Sequence, residues 1–323
     1  MPKFFNKFLR DYNCLILCLL MIIISSIAIP NFFTSLNLLN ILVETSIIGI
    51  MAIGMTFLLL IGLFDMSIGN QVSLVSLVIA LTMRFGIIPS IVLALITGML
   101  VGAINGIITT KLKINAFIVT FAMLGILKGA NLLISESQTK GQSIFIDNAI
   151  FGNIFNLNLF GIPIVVVVFV VLAVIAELIL KYTKVGFEIY VSGGNIETAR
   201  LSGVNTFLIT MFCFLASSLC VAIAAILLTS RVITASSVLG EKYTLLVITA
   251  CVIGGIKFTG GYGNIFNTFF GVLAMQLVNN IMYMTNTYGY IQSLINGMIL
   301  IIVLSIDRFT TIRRSPSLKL KLK

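Results

Sequence analysis

Apolar runs interrupted by short polar stretches occupy almost the whole chain from Cys14 to Ile306. A helix needs about 20 mostly apolar residues to cross a bilayer, and unpaired backbone is not tolerated there, so each such run predicts a transmembrane helix. Ten candidates follow, at 14–29, 41–61, 68–83, 88–110, 114–134, 162–180, 206–229, 244–256, 265–284 and 289–306. The third and eighth are the weakest by length. Each adjoins a glycine-marked break, Gly62 to Gly69 in the first case and Gly254, Gly255, Gly260, Gly261 to Gly263 in the second. Glycine-interrupted segments five spans apart predict an internal repeat, and an odd repeat unit inverts its topology. The expectation is therefore an all-α membrane protein of about ten transmembrane helices, made of two inverted five-helix halves.

The charge pattern sets the orientation. Of the 20 Lys and Arg, placing the N-terminus inside puts Lys3, Lys7, Arg10, Lys111, Lys113, Lys181, Lys184, Arg200, Lys257 and the six between Arg308 and Lys323 in the cytoplasm. Only Arg84, Lys140, Arg231 and Lys242 then lie outside, and Lys128 lies within a span. The positive-inside rule favours this arrangement, with both termini cytoplasmic. The organisation expected is a cytoplasmic segment at 1–13, one transmembrane domain at 14–306 and a basic cytoplasmic tail at 307–323. Within the domain lie an external loop at 135–161, with room for a short helix or hairpin, and a cytoplasmic loop at 181–205. The basic N-terminal residues before an apolar run resemble a signal peptide, but further spanning segments follow, so this run is read as the first span.

Composition narrows the chemistry. The chain is 59% hydrophobic and 9% charged, with a mean hydropathy of +1.17. It has no His and no Trp, and its five cysteines all sit in apolar runs with no metal or disulfide spacing. The parts for acid–base, triad or metal catalysis are missing, so an enzyme is not expected. No phosphate-binding G-x-x-x-x-G-K-[ST] loop occurs, and nothing points to nucleic acid. Intramembrane ionisable and amide groups are then the candidates for function. Lys128 is the clearest charge; snorkelling towards Glu136 is the plain alternative. Glu44 and Glu177 lie near span ends, the latter four residues before Lys181. Asn105, Asn131, Gln276, Asn279, Asn280, Gln292 and Asn296 offer a neutral polyol both donors and acceptors without a buried charge. Of these, Asn105, Gln276, Asn279 and Asn280 are taken as lane residues, with helix–helix hydrogen bonding as the bland reading. In the cytoplasmic loop, Gly193-Gly194-Asn195 forms a turn before a short helix from Ile196 to Leu201 that Gly203 stops. Such a helix suits docking of a partner.

That loop, Gly193-Gly194-Asn195-Ile196-Glu197-Thr198-Ala199-Arg200-Leu201-Ser202-Gly203-Val204, closely resembles the G-G-N-x-E-A-A-R-L-S-G-I segment of permease subunits in the ribose, xylose and galactose class of bacterial ABC sugar importers. Asp65-Met66-Ser67-Ile68-Gly69 is similar to that family's I-D-L-S-V-G, Gly102 to Asn105-Gly106 to its G-x-x-N-G, and Phe117-Ile118-Val119-Thr120 to its F-I-V-T. Arg231 with Gly240, the Gly254–Gly263 cluster, Asn279-Asn280 and Gly297 through Asp307-Arg308 follow in order, so the resemblance covers residues 37 to 308. Thr198 replaces the central Ala of E-A-A, Leu63 replaces a Gly, Asn115-Ala116 stands where a Pro is usual, and Lys242 and Thr244 depart from G-x-G-Y-E.

The resemblance implies an inner-membrane permease that imports a small neutral sugar by alternating access. Its partners would be cytoplasmic ATPase subunits carrying ATP and Mg, an external sugar-binding protein and a second permease copy. This chain itself would bind no cofactor. Gly193, Gly194, Asn195, Glu197, Thr198, Ala199, Arg200 and Gly203 would form the coupling element that fits the ATPase, with Ala199 and Leu201 packing against it. Relatives for a furanosyl signal or a nucleoside are alternatives within the same resemblance. A gradient-driven carrier is the alternative outside it.

Overall fold

The computed structural model describes residues 13–159 and 161–314; of the expected segments at 1–13 and 307–323, residues 1–12 and 315–323 lie outside the described residues. The chain is almost entirely helical. In order come α1 (Asn13–Ala28), α2 (Ser35–Leu60), α3 (Ile68–Thr82), α4 (Ile87–Lys111), α5 (Ala116–Thr139), α6 (Ala149–Asn156), α7 (Ile164–Tyr182), α8 (Lys184–Gly194), α9 (Ile196–Leu201), α10 (Thr206–Val232), α11 (Tyr243–Ile253), α12 (Ile265–Met284) and α13 (Gly289–Arg314). Seven of these are long and apolar enough to cross a membrane: α2, α3 with its 3₁₀ extension to Phe85, α4, α5, α7, α10 and α12. Three shorter apolar helices, at Cys14–Ala28, Tyr243–Ile253 and Gly289–Ser305, coincide with the first, eighth and tenth runs read from the sequence.

Packing separates a core from a lipid-facing shell. α2 and α10 lie against each other at the centre, and Ile47 through Leu60 of α2 are buried without interruption. By contrast, α1, α4, α5 and α7 expose rows of large apolar side chains such as Ile24, Ile27, Leu100, Leu133 and Val174. In water such rows would be a liability; against acyl chains they are the expected surface. Cys213, Cys220 and Cys251 are buried and all five cysteines are free, in keeping with their reading as small core residues.

Two ends of the bundle differ in charge. The end carrying Lys111, Lys113, Lys181, Lys184, Arg200 and Lys257 is called here the basic end. At the far end, residues 135–161 supply both a hairpin strand and a helix. Ile144–Phe145 pairs antiparallel with Thr234–Ala235, Asn158–Leu159 pairs with Ile162–Pro163, and α6 buries Phe151 against α10. Ser230 Oγ donates to the Phe151 carbonyl at 2.6 Å and accepts from the Phe155 N–H at 3.1 Å, which ties α6 to the last turns of α10.

The two glycine-marked breaks are not equivalent positions of two halves. Both lie at the basic end and touch: the Gly261 N–H donates to the Leu60 carbonyl at 2.8 Å, and a Cβ on Gly260 would come within 2.8 Å of the Gly62 nitrogen. Gly193 joins them, since a Cβ there would overlap the Leu60 carbonyl oxygen. It is the last turn of α8, not an open turn, and close backbone approach is what requires glycine.

The segment that answers the 61–67 break is 233–242, which precedes α11 as 61–67 precedes α3. From the Thr234–Ala235 strand at the far end the chain runs inward to Gly240, which packs on Gly69 in the first turn of α3. The Gly69 N–H donates to Thr244 Oγ1 at 3.0 Å, and the Gly240 N–H to Ser73 Oγ at 2.9 Å. The level of this junction is fixed by Gln71, whose amide donates to the carbonyl of Gly98, midway along α4, at 2.9 Å. α11 therefore starts at mid-depth. Its 11 residues rise about 16 Å, roughly half of a bilayer core.

Candidate functional site

Polar side chains collect in a cavity of about 570 Å3 at the far end, between the first turns of α2, the start of α11, the last turns of α12 and the first turns of α13. Its walls carry seven amides: Asn37, Asn40, Gln276, Asn279, Asn280, Gln292 and Asn296. Thr34 caps α2, its hydroxyl accepting from the Asn37 N–H, so that Asn37, Asn40 and Glu44 follow on one helix face at i, i+3 and i+7. Asn37 and Asn280 exchange amide hydrogen bonds, at 3.2 Å and 2.8 Å. Asn296 donates to Asn279 Oδ1 at 3.1 Å, while its own Oδ1 has no partner among the described residues. Glu44 and Arg231 form an ion pair, both about three-quarters buried, that joins α2 to α10 at the cavity floor, beside the buried Tyr243. The lining thus offers many donors and acceptors, and its one close ion pair is internally neutralised.

Three of the four lane residues chosen from the sequence, Gln276, Asn279 and Asn280, meet in this cavity, joined by Gln292 and Asn296 from the wider amide set. Asn105 does not line it. Asn105 is buried beside the break at 61–67, where its amide donates to Asp65 Oδ2 at 3.3 Å and to Ser67 Oγ at 3.1 Å. Ser67 in turn donates its N–H and hydroxyl to Asp65 Oδ1, at 2.7 Å and 2.6 Å. Asp65 thus organises the start of α3. Asn131 is likewise a packing group, donating to the Asn70 carbonyl at 2.9 Å. The sequence reading missed Asn37, Asn40 and the Glu44–Arg231 pair, although the spacing along α2 contained the signal.

The neighbourhoods of the remaining charges differ from the expectations. Lys128 reaches Glu241 of the segment before α11, Nζ to Oε1 2.8 Å, and not Glu136. Glu177 accepts from the Ile265 N–H at 3.2 Å, at the positive end of the α12 dipole, instead of pairing with Lys181. Next to it the Tyr190 hydroxyl donates to the Gly263 carbonyl at 2.7 Å. Burial, with the Glu177 charge, pushes that phenol above its usual range and keeps it a neutral donor.

At the basic end α9 stands free. The Asn195 side chain accepts from the N–H groups of Glu197 and Thr198 at 2.9 Å and 3.1 Å, and Gly203 takes a positive φ beyond the helix. Glu197, Thr198 and Arg200 are exposed, with Arg200 3.8 Å from Glu197. Ala199 points into the protein, so the apolar side chains presented outward are Ile196 and Leu201, the latter 90% exposed. Gly254 packs against the Asn267 backbone and Gly255 takes a positive φ, which closes the end of α11. A second cavity of about 850 Å3 opens beside α9, lined by Gly62 to Phe64, the end of α4, the start of α5 and the first turn of α10.

A family model described as branched-chain amino acid transport system / permease component matches residues 37–304. The chain is 33% identical over 309 residues to the ribose import permease protein RbsC of Haemophilus influenzae, covering 94% of this chain and 95% of that one. It is 32% identical to the L-arabinose transport system permease protein AraH of Escherichia coli, over 94% of this chain and 92% of that one. To the D-allose transport system permease protein AlsC of Escherichia coli it is 29% identical, over 91% and 90%. No solved structure matches.

Proposed function

Because this chain belongs to the branched-chain amino acid transport system / permease component family, with ribose, L-arabinose and D-allose permeases among its relatives, we propose that it imports a small neutral monosaccharide across the bacterial inner membrane, driven by ATP on separate subunits. The observation that carries this reading is the pairing of an amide-lined cavity at one end with a capped, solvent-exposed helix at the other. The basic end is cytoplasmic, by the positive-inside rule, and the ten apolar helices each enter the membrane, α11 as a half-span. Residues 14–306 act as one transmembrane domain, with both termini inside.

Packing supports two inverted halves. The contacts of α10 with α4, α3 with α4, α3 with α10, and α3 with α5 each have a counterpart: α2 with α12, α11 with α12, α11 with α2, and α11 with α13. α1 and α7 stand outside this correspondence, α1 on α12 and α7 on α2. The two cavities correspond as well, each flanked by the ends of equivalent helices at opposite ends of the bundle. Alternating access then exchanges which one communicates with the lane. Gly193, Gly194, Asn195, Glu197, Thr198, Arg200 and Gly203 form and present the coupling helix. Ala199 anchors it from inside, and Ile196 and Leu201 pack on the ATPase. ATP and Mg reside on that partner, an external binding protein delivers the sugar, and a second identical copy completes the pathway.

Uptake of radiolabelled ribose, L-arabinose and D-allose by cells lacking the gene, complemented with the native chain or with Glu197→Lys/Arg200→Glu, tests this. Saturable uptake of at least one sugar that needs the native chain, falls at least tenfold in the variant and survives an uncoupler is expected. Uptake insensitive to the variant and abolished by the uncoupler would overturn the ATP-driven reading.

A further inference from the structure

Lys128 and Glu241 form an ion pair that lies away from both ends of the bundle. Lys128 is the thirteenth of the 24 residues of α5, midway along it. Glu241 follows Gly240, the residue that meets the first turn of α3 at the level of the middle of α4. The pair is therefore at mid-depth of the bundle, yet it is not sheltered: the two side chains are 52% and 41% exposed. A surface of the same chain that met lipid would be apolar at this level, as the exposed faces of α4 and α7 are. Hydrocarbon accepts neither an exposed ammonium nor an exposed carboxylate, and mid-span ionisable groups turn to water or to protein. The two residues also belong to different halves, since α5 is in the first and the segment before α11 opens the half-span of the second.

We infer that Lys128 and Glu241 line the water-filled lane, forming a charge-balanced polar wall at the point where the starts of α3 and α11 meet. Taken together the pair has no net charge, so it does not hold an ion. It presents the remaining ammonium protons and carboxylate lone pairs to hydroxyl groups passing along the lane. It thereby continues, at mid-depth, the donor and acceptor lining of the far-end cavity, whose Lys242 is the next residue of the same segment. Glu241 and Lys242 thus serve two successive stretches of one path. The inference rests on the permease reading above.

The test is cysteine accessibility in intact membranes. Lys128→Cys and Glu241→Cys are probed with a membrane-impermeant, positively charged methanethiosulfonate and, separately, with a bilayer-soluble maleimide. Ile24→Cys, exposed on the apolar face of α1, is the lipid control. Both lane cysteines are expected to react with the charged reagent at least tenfold faster than the control. Reaction with the maleimide alone would mean lipid, and reaction with neither reagent would mean a closed protein interface; either result overturns the inference. Uptake is then compared in Lys128→Glu, Glu241→Lys and the double exchange. Each single reversal is expected to lower uptake tenfold or more, and the double exchange to recover it to within threefold of the native chain. Failure of the double exchange to exceed the singles would count against the pair. Loss of the permease reading is distinguishable, because it removes uptake by the native chain while leaving thiol accessibility to be read.

Discussion

Gly193 and Gly194 are neighbours with opposite surroundings. A Cβ at 193 would meet the Leu60 carbonyl and come 2.5 Å from the Gly261 nitrogen, whereas nothing lies within 4 Å of one at 194. Gly193→Ala is expected to cost about 1–3 kcal/mol through forced backbone displacement and Gly194→Ala less than about 0.5, read as thermal midpoints of the purified protein in detergent. Equal midpoints would contradict the convergence of α2, α8 and the 254–263 loop. Glu44 and Arg231 make a second residue-level case. Arg231→Gln strands a largely buried carboxylate and is expected to destabilise more than the double change Glu44→Gln/Arg231→Gln, the signature of an uncompensated charge. At this scale the sequence disclosed residue types but not their company. Gln276, Asn279 and Asn280 were legible because an amide in an apolar run is conspicuous. Their division from Asn105 was not, since which helix face meets a cavity depends on the packing of α11 against α12 and α13.

Helices were more legible than contacts. Hydropathy fixed the positions of the apolar helices because the bilayer demands both length and internal hydrogen bonding, and those demands are written in consecutive residues. What it could not reveal was that the run at 244–256 forms a helix of only 11 residues entered through an extended segment, because a short apolar run has the same composition whether or not it crosses. For α9, local chemistry sufficed: an Asn cap, a short helical stretch and a glycine stop are all encoded within nine residues, from Asn195 to Gly203. The orientation of Ala199 inward and Leu201 outward was not encoded there, as it is set by the seating of α8 and α10. Replacing Asn195 by Ala removes two hydrogen bonds to the first turn and is expected to cost the helix about 1 kcal/mol. Because α9 is solvent-exposed, the chain should still fold, while ATPase stimulation by the binding protein should fall severalfold in reconstituted complexes. Unchanged stimulation would argue that α9 does not transmit the signal.

Across the whole molecule, the correspondence of packing between α2–α5 and α10–α13 explains why the polar groups are arranged as they are. Each half contributes one helix that begins near mid-depth, α3 or α11, and the two starts meet at Gly69, Gly240 and Thr244. Each half also flanks a cavity, at opposite ends of the bundle, so that an exchange between two packings of the same elements would open one and close the other. Glycine content hinted at a repeat, but it misled about which segments correspond: the glycines at 62, 193, 260 and 261 gather because backbones cross there. The correspondence of contacts lies in the order of helices and breaks, which the glycine pattern alone does not carry. The central claim, ATP-driven sugar import through this chain, is tested most directly in proteoliposomes containing it together with its ATPase and external binding protein. Accumulation of labelled monosaccharide against its gradient should require ATP inside the compartment holding the ATPase, persist with protonophore and ionophore present, and vanish when the binding protein is omitted. Accumulation driven by an imposed ion gradient with no ATPase present would contradict it.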